Sequence, residues 1–426
     1  MLRLILCLLL LAPLHAQWPA FRGPNNDGIH PPRPDGQPHG FPVEWSEGKN
    51  IVWKTAIPGR AWSTPVIMGD QVWLSNATPD GKKMYAVCLD KATGKELHNL
   101  LLFENEDPEP LGNKVNGYGS CSPAVDADCV YFHFGSYGTA ALDRKTGKTV
   151  WQRRDLPCRH FRGPASSVVL HKNLVILSMD GIDHQYLVAL DRQTGKTVWK
   201  TDRTTDFGDV EPGGKVRGDG DLRKAYTTPN FITLNGVRQL VSPGAKACYG
   251  YNADTGEELW KVTYDGFSNA ISPVFVGQDL ALINTGLGKP HLLGVRLDDK
   301  LSGDVTDTHI EWDVFKRIPA RCSPVVIGRH AYFTSEAGIL SRLNCDNGEI
   351  DNYLALKTNF SSSAVLADGH LYFADERGQT FVVQPGPELK IVATNTLDDG
   401  CMASPAFDGK ALYLRSKSHL YRIETK

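Results

Sequence analysis

The sequence predicts an all-β protein: an eight-bladed β-propeller of four-stranded antiparallel blades, closed by the N-terminal strand pairing with the C-terminal blade. Three observations predict it. The first is a recurring hairpin. Residues 141–151 read ALDRKTGKTVW and residues 189–199 read ALDRQTGKTVW, with weaker copies at 88–98, 250–260 and 342–352. A stretched copy over 295–312 keeps Asp298, Gly303 and Trp312. The second is a Ser-Pro or Ser-Ser step opening an apolar strand, found eight times. The third is the composition, 41 Gly and 26 Pro in 426 residues, which suits many short strands and turns.

Each element of the unit has a physical reason. The Ser-Pro step places Pro, or its equivalent, at positions 65, 123, 167, 229, 273, 324, 363 and 405. Proline suits the first residue of a strand, where no ladder donor is required. An apolar second strand follows, such as 72–76, 130–134 or 371–374. The third strand ends at Asp or Asn, whose side chain can bond the turn backbone, and the turn's Gly can take positive φ. The fourth strand carries Trp at a fixed offset. Four strands in roughly 40–60 residues is the size of a propeller blade. A tandem of two-sheet sandwiches is the competing arrangement; a helical solenoid is excluded, because no unit shows helical periodicity.

The ends complete the ring. The last unit runs out at Leu420–Ile423 without a fourth strand, while residues 50–55, NIVWKT, form an orphan strand with Trp53 in the phase of Trp151, Trp199, Trp260 and Trp312. Pairing the two removes exposed edges. Residues 51–426 are therefore assigned to the propeller and residues 17–50, rich in Pro, Gly and Asn, to an arm packed on one face. The irregular stretch 204–221 is expected to project between blades 3 and 4. Residues 1–16, MLRLILCLLLLAPLHA, read as a signal peptide. Export to the periplasm or beyond follows, with no transmembrane segment after cleavage.

Eight cysteines remain after residue 16: Cys88, Cys121, Cys129, Cys158, Cys248, Cys322, Cys345 and Cys401. Their scatter argues for small buried thiols rather than a disulfide scaffold. Cys121, Cys322 and Cys401, with Cys158 nearby, share one loop phase, so a disulfide or redox pair across the channel mouth is one arrangement open to them. Asp219 and Asp221 lack the further acidic positions of a calcium loop and read as a solvated loop; no metal site is expected. Arg22-Gly23-Pro24 reads as a docking turn. The formal charge of −2 excludes a nucleic-acid role.

The A-L-D-x-x-T-G-K-x-x-W repeat resembles the tryptophan-docking motif of pyrroloquinoline quinone (PQQ) repeat proteins, a superfamily holding quinoprotein alcohol dehydrogenases and BamB-like proteins. The segment WPAFRGPNNDG at 18–28, the run GDVTDTHIEW at 303–312 and the closing SHLYRI are similar to exported PQQ-binding-like propeller repeat proteins abundant in planctomycetes. The resemblance implies that each Trp packs between adjacent blades. It also implies PQQ as a candidate cofactor, yet the vicinal Cys-Cys pair of the dehydrogenases is missing, no calcium-ligand motif matches, and there is no c-type haem motif.

A ligand site would lie where loops enter the innermost strands. Those loops carry Arg60, Arg159, Arg162, Arg223, Arg321 and Lys357, together with Trp62, Tyr118, Phe161, Tyr226, Phe267, Asn269 and Phe360. Cations and aromatic faces in one ring could hold a planar polyanion such as PQQ through bidentate and stacking contacts. They could equally fill and hydrogen-bond the mouth. The expected function is a ligand- or protein-binding scaffold of the cell envelope, monomeric, with an envelope protein or a small anionic or aromatic molecule as partner. A divergent PQQ-dependent alcohol or sugar dehydrogenase is the alternative.

Overall fold

The computed structural model describes residues 18–113 and 115–426; the expected signal peptide, residues 1–16, lies outside them. Each sequence repeat folds into one sheet whose four antiparallel strands run from the axis outward, and eight such sheets form an eight-bladed propeller. Blade 3 illustrates the pattern with strands Val169–His171, Leu174–Asp180, Gln185–Asp191 and Thr197–Asp202. Its second strand, LVILSMD, is buried along its whole length, because both faces press on neighbouring blades. In its outer strand only Trp199 is buried, between exposed Val198 and Lys200.

The repeated hairpin turn folds as its sequence dictates. Asp191 Oδ1 accepts from the Thr194 N–H and hydroxyl, both at 2.8 Å, and Gly195, at φ +69°, donates its N–H to the Asp191 carbonyl at 2.8 Å. Asp143 with Thr146 and Asp90 with Thr93 repeat the arrangement. The Thr hydroxyl bond holds all three carboxyls below the ordinary Asp value.

These turns receive the tryptophans of the preceding blade. A Cβ on Gly94, Gly195, Gly256 or Gly348 would come within 2.5–2.8 Å of the indoles of Trp53, Trp151, Trp199 and Trp312 respectively. The indole N–H of Trp53, Trp151 and Trp312 donates to the carbonyls of Lys91, Arg192 and Cys345 in the same turns. Small residues sit opposite the indoles in the ladder: Ala141 faces Trp151, Ala189 faces Trp199 and Gly294 faces Trp312. His98 replaces Trp in blade 1 and lies against Gly147. Trp260 departs from the rule. The blade 5 turn is stretched, so this indole turns onto Gly250 of its own blade, donates to Gln239 Oε1 at 2.8 Å, and is flanked by a parallel pairing to Gly303.

The ring closes as expected: Ile51–Ala56 pairs antiparallel with His419–Ile423, completing blade 8. The arm preceding it crosses the inner strands of several blades. Trp18 exchanges both backbone hydrogen bonds with Ile67 of blade 1, the Pro19 carbonyl accepts from Val125 of blade 2, and Gly28 and His30 bond Leu366 of blade 7. Arg22, fully buried, donates to the carbonyls of Asn26, Asp27, Ser323 and Pro324, so Arg22-Gly23-Pro24 is a docking turn. Farther along, the Asp368 carboxylate accepts from the N–H groups of His39, Gly40 and Phe41, and Glu47 accepts from the Tyr421 hydroxyl.

Two expectations shift. Strands begin at Val169 and Val365 in blades 3 and 7, so the proline-equivalent positions there are Val168 and Ala364, one residue later than the Ser-Ser pattern suggested. The stretch 204–221 does not simply project. Its end forms a 3-10 turn, Arg217–Arg223, with Gly220 buried against Ile182, and this returns Asp221 to the channel mouth.

Candidate functional site

The segments that enter the innermost strands converge on the propeller axis. They enclose a cavity of about 450 Å³ to which all eight blades contribute. Half-buried Phe21, on the arm, lines it from the plugged side. Because the arm crosses the inner strands, the channel is a cup sealed at one end.

Near its base runs a ring of hydroxyls, each two residues before an inner strand. The Thr64 N–H donates to Ser122 Oγ, Ser122 N–H to Ser167 Oγ, and Ser167 N–H to Thr228 Oγ1, at 2.8–3.0 Å. Ser272 N–H donates to Ser323 Oγ, Ser323 N–H to Ser363 Oγ, and Ser363 N–H to Ser404 Oγ, at 2.9–3.0 Å. The circle is interrupted twice, between blades 4 and 5 and between blades 8 and 1, where the Ser272 and Thr64 hydroxyls have no partner among the described residues. A hydroxyl explains the recurring Ser or Thr better than strand initiation does: it accepts the one N–H that the neighbouring inner strand cannot pair in its own ladder.

Of the residues singled out from sequence, Trp62, Tyr226, Phe267 and Arg321 line the cup, with Arg162 beside them. Trp62 donates its indole N–H to the Val115 carbonyl at 2.7 Å, which fixes the ring at the wall. The others lie elsewhere. Tyr118 is buried against Gly81 and Tyr137, its hydroxyl donating to the Glu109 carbonyl. Phe360 is buried against Phe381. Asn269 is fully buried and donates to Tyr264 and the Asn284 carbonyl. Phe161 and Arg159 bind Glu109. Arg223 pairs with Asp209, and Lys357 is exposed. Arg60 is half-buried, and its N–H donates to the Ala77 carbonyl. None of these lines the cavity.

The two cup arginines are neutralised in place. Arg162 makes a two-pronged pair with Asp221, at 3.0 and 3.2 Å, and its guanidinium stacks 5.0 Å from the Phe161 ring. Arg321 pairs with Glu336 and with Glu376 at 3.3 Å and donates to Ser361 at 2.9 Å. Asp221, read from sequence as part of a solvated loop, is instead held by Arg162, and sequence reasoning missed Glu336 and Glu376 because they come from loops outside the repeat phase. It also missed Phe21, whose position depends on how the arm docks. Behind Tyr226 lies fully buried Lys224, its ammonium 4.5 Å from the ring centre; burial lowers its pKa and raises that of the Tyr226 phenol.

No thiol pair spans the mouth: all eight cysteines of the described residues are free. Burial pushes Cys121 and Cys401 up to about 12 and Cys322 to about 11. Cys158 lies 3.8 Å from His160 Nδ1, but both are buried, and His160 Nε2 accepts from the Ser136 N–H. Among the described residues no three His, Cys, Asp or Glu side chains gather as metal ligands, and no helix is long and apolar enough to cross a membrane.

Solved structures share the architecture. BamB from Moraxella catarrhalis is 14% identical, with a TM-score of 0.57 over 88% of this chain and 99% of that one. Quinohemoprotein alcohol dehydrogenase from Comamonas testosteroni is 10% identical, with a TM-score of 0.63 over 97% and 82%. A europium-containing methanol dehydrogenase is 12% identical, with a TM-score of 0.58 over 87% and 86%. At these identities the likeness concerns the fold alone. No curated protein matches the chain. Residues 43–157 and 183–426 match the family model described as outer membrane protein assembly factor BamB, and with that span of repeats accounted for, the chain belongs to that family.

Proposed function

We propose that the protein is an exported binding module of the cell envelope whose cup receives a ligand or a projecting group of a partner, without chemistry of its own. The observation that supports this most is the cup itself: eight blades build its wall, an arm closes its base, and its charged groups are already paired. A concave site with aromatic walls and a few placed polar groups is suited to binding. Catalysis would require in addition an activated nucleophile or an acid–base pair facing the cavity, and the thiols and imidazoles nearest it are buried and neutral.

PQQ, a planar polycarboxylate, does not fit this donor set. Arg162 and Arg321 would have to leave their carboxylates to meet it, and the buried cysteines supply no adjacent pair.

The test is direct. Folded protein supplied with PQQ, calcium, alcohols or sugars and a dye acceptor should show no turnover, and ligands retained by it should be recovered unchanged. Binding should weaken in Trp62→Ala and Phe267→Ala. Sustained dye reduction lost in the same variants would overturn the reading in favour of an oxidoreductase.

A further inference from the structure

We propose that the cup binds a neutral saccharide, taken in by the end of its chain. This rests on the reading of the cup as the ligand site and names the class of ligand.

Three independent observations point to it. The first is charge. Arg162 faces Asp221 and the single Arg321 faces both Glu336 and Glu376, so an anion must displace a carboxylate to reach either guanidinium. A neutral guest with vicinal hydroxyls suits such pairs, donating to the carboxylate while accepting from the guanidinium. The second is the hydroxyl ring. Ser122, Ser167, Thr228, Ser363 and Ser404 each accept a backbone N–H and line the cavity, and their own O–H protons go to no acceptor among the described residues. Thr64, fully buried on the same wall, has no partner for its hydroxyl among the described residues. The base of the cup therefore offers donors to a guest rich in acceptors. The third is the aromatic set Phe21, Trp62, Tyr226 and Phe267: the Trp62 N–H is committed to Val115, which leaves its face free for stacking, and the Tyr226 hydroxyl is buried, so that its ring is what faces the cup. Sugar rings combine an apolar C–H face with hydroxyls around the edge, the combination these walls complement. Because the arm seals the far end, a polymer cannot thread through; only a terminus fits.

Saturation-transfer NMR and calorimetry on the folded, signal-free protein, with cellotriose, maltotriose and xylotriose as probes, test the proposal. At least one should bind, with an affinity equal in low and high salt, since no net charge is exchanged. Phe21→Ala and Phe267→Ala should each weaken it about tenfold. Val198→Ala, on an exposed outer strand, should change nothing. Phe267 stands at the entry to blade 5 and not on the arm, so Phe267→Ala reports binding even should Phe21→Ala disturb the arm. Absence of transfer to all three probes overturns the proposal, as does binding that survives both variants. Should the sugars fail while PQQ binds with dependence on Trp62, the cup remains a ligand site and only the class is wrong. Failure of every probe removes both readings.

Discussion

Arg22 places a cation where its hydrogen bonds go to carbonyls and the nearby Asp27 carboxylate offsets only part of the burial. Its guanidinium is completely buried, and burial lowers it to about 10. Four carbonyls, two on the arm and two at the entry to blade 6, absorb its donors. Truncation leaves those acceptors bare, so Arg22→Ala should cost about 3 kcal/mol and release the arm. Hydrogen exchange should report this first at the Gly28 and His30 amides, with the outer blades protected as before. Arg22→Lys should not restore the contact, because a single ammonium cannot serve the forked set of acceptors. At this scale the sequence was half legible. Arg22-Gly23-Pro24 reads as a docking turn, and the Ser-Pro recurrence is plain in the letters. That the Ser and Thr hydroxyls of that recurrence link blade to blade was hidden, since the link joins residues about 40 to 60 positions apart.

At the scale of the element, the Thr-Gly turn does two things: it reverses the chain and gives the preceding blade's indole a surface to lie on. A pair of substitutions separates them. Gly195 has φ +69° and an indole against it; Gly303 has φ +70° and open space. Gly303→Ala should cost about 1 kcal/mol from backbone strain alone. Gly195→Ala should cost about 2–4 kcal/mol, the excess coming from displaced Trp151. Equal losses in thermal or denaturant unfolding would show that the docking contributes nothing. The hairpin was the most legible element because everything it needs lies within eleven residues. The Ser-Ser steps of blades 3 and 7 were misplaced by one residue because, without Pro to mark the strand start, either Ser could fill the linking position.

For the whole molecule, acid is the revealing variable. Burial holds His133 at about 3 and His30 at about 4, and lowers His160 well below its ordinary value of 6.5. A histidine with a depressed folded pKa contributes its full share above its unfolded value and loses it as pH falls toward the folded one. The Asp turns, likewise depressed, lose theirs lower, as pH falls through and below the ordinary carboxylate range. The melting temperature should therefore begin to fall below about pH 6.5 and drop more steeply below about pH 4. A profile flat across that range would contradict the assignment of neutral buried imidazoles. The ring of eight blades was legible in the repeats; the sealed cup was not. Its floor comes from the arm and its neutralising carboxylates from irregular loops, segments that carry no period to read.

The interruptions of the hydroxyl circle fall four blades apart, between blades 4 and 5 and between blades 8 and 1. Other bonds bridge both places: Arg415 of blade 8 donates to Ser63, Ser75 and Asn76 of blade 1, and Thr227 and Asn230 of blade 4 donate to the Asn269 and Pro273 carbonyls of blade 5. Where the hydroxyl links lapse, longer side chains thus stitch the two seams, a buried guanidinium at the one where the chain's two ends meet. The arm, bonding Ile67 of blade 1 and Leu366 of blade 7, adds a tie between blades on either side of that seam.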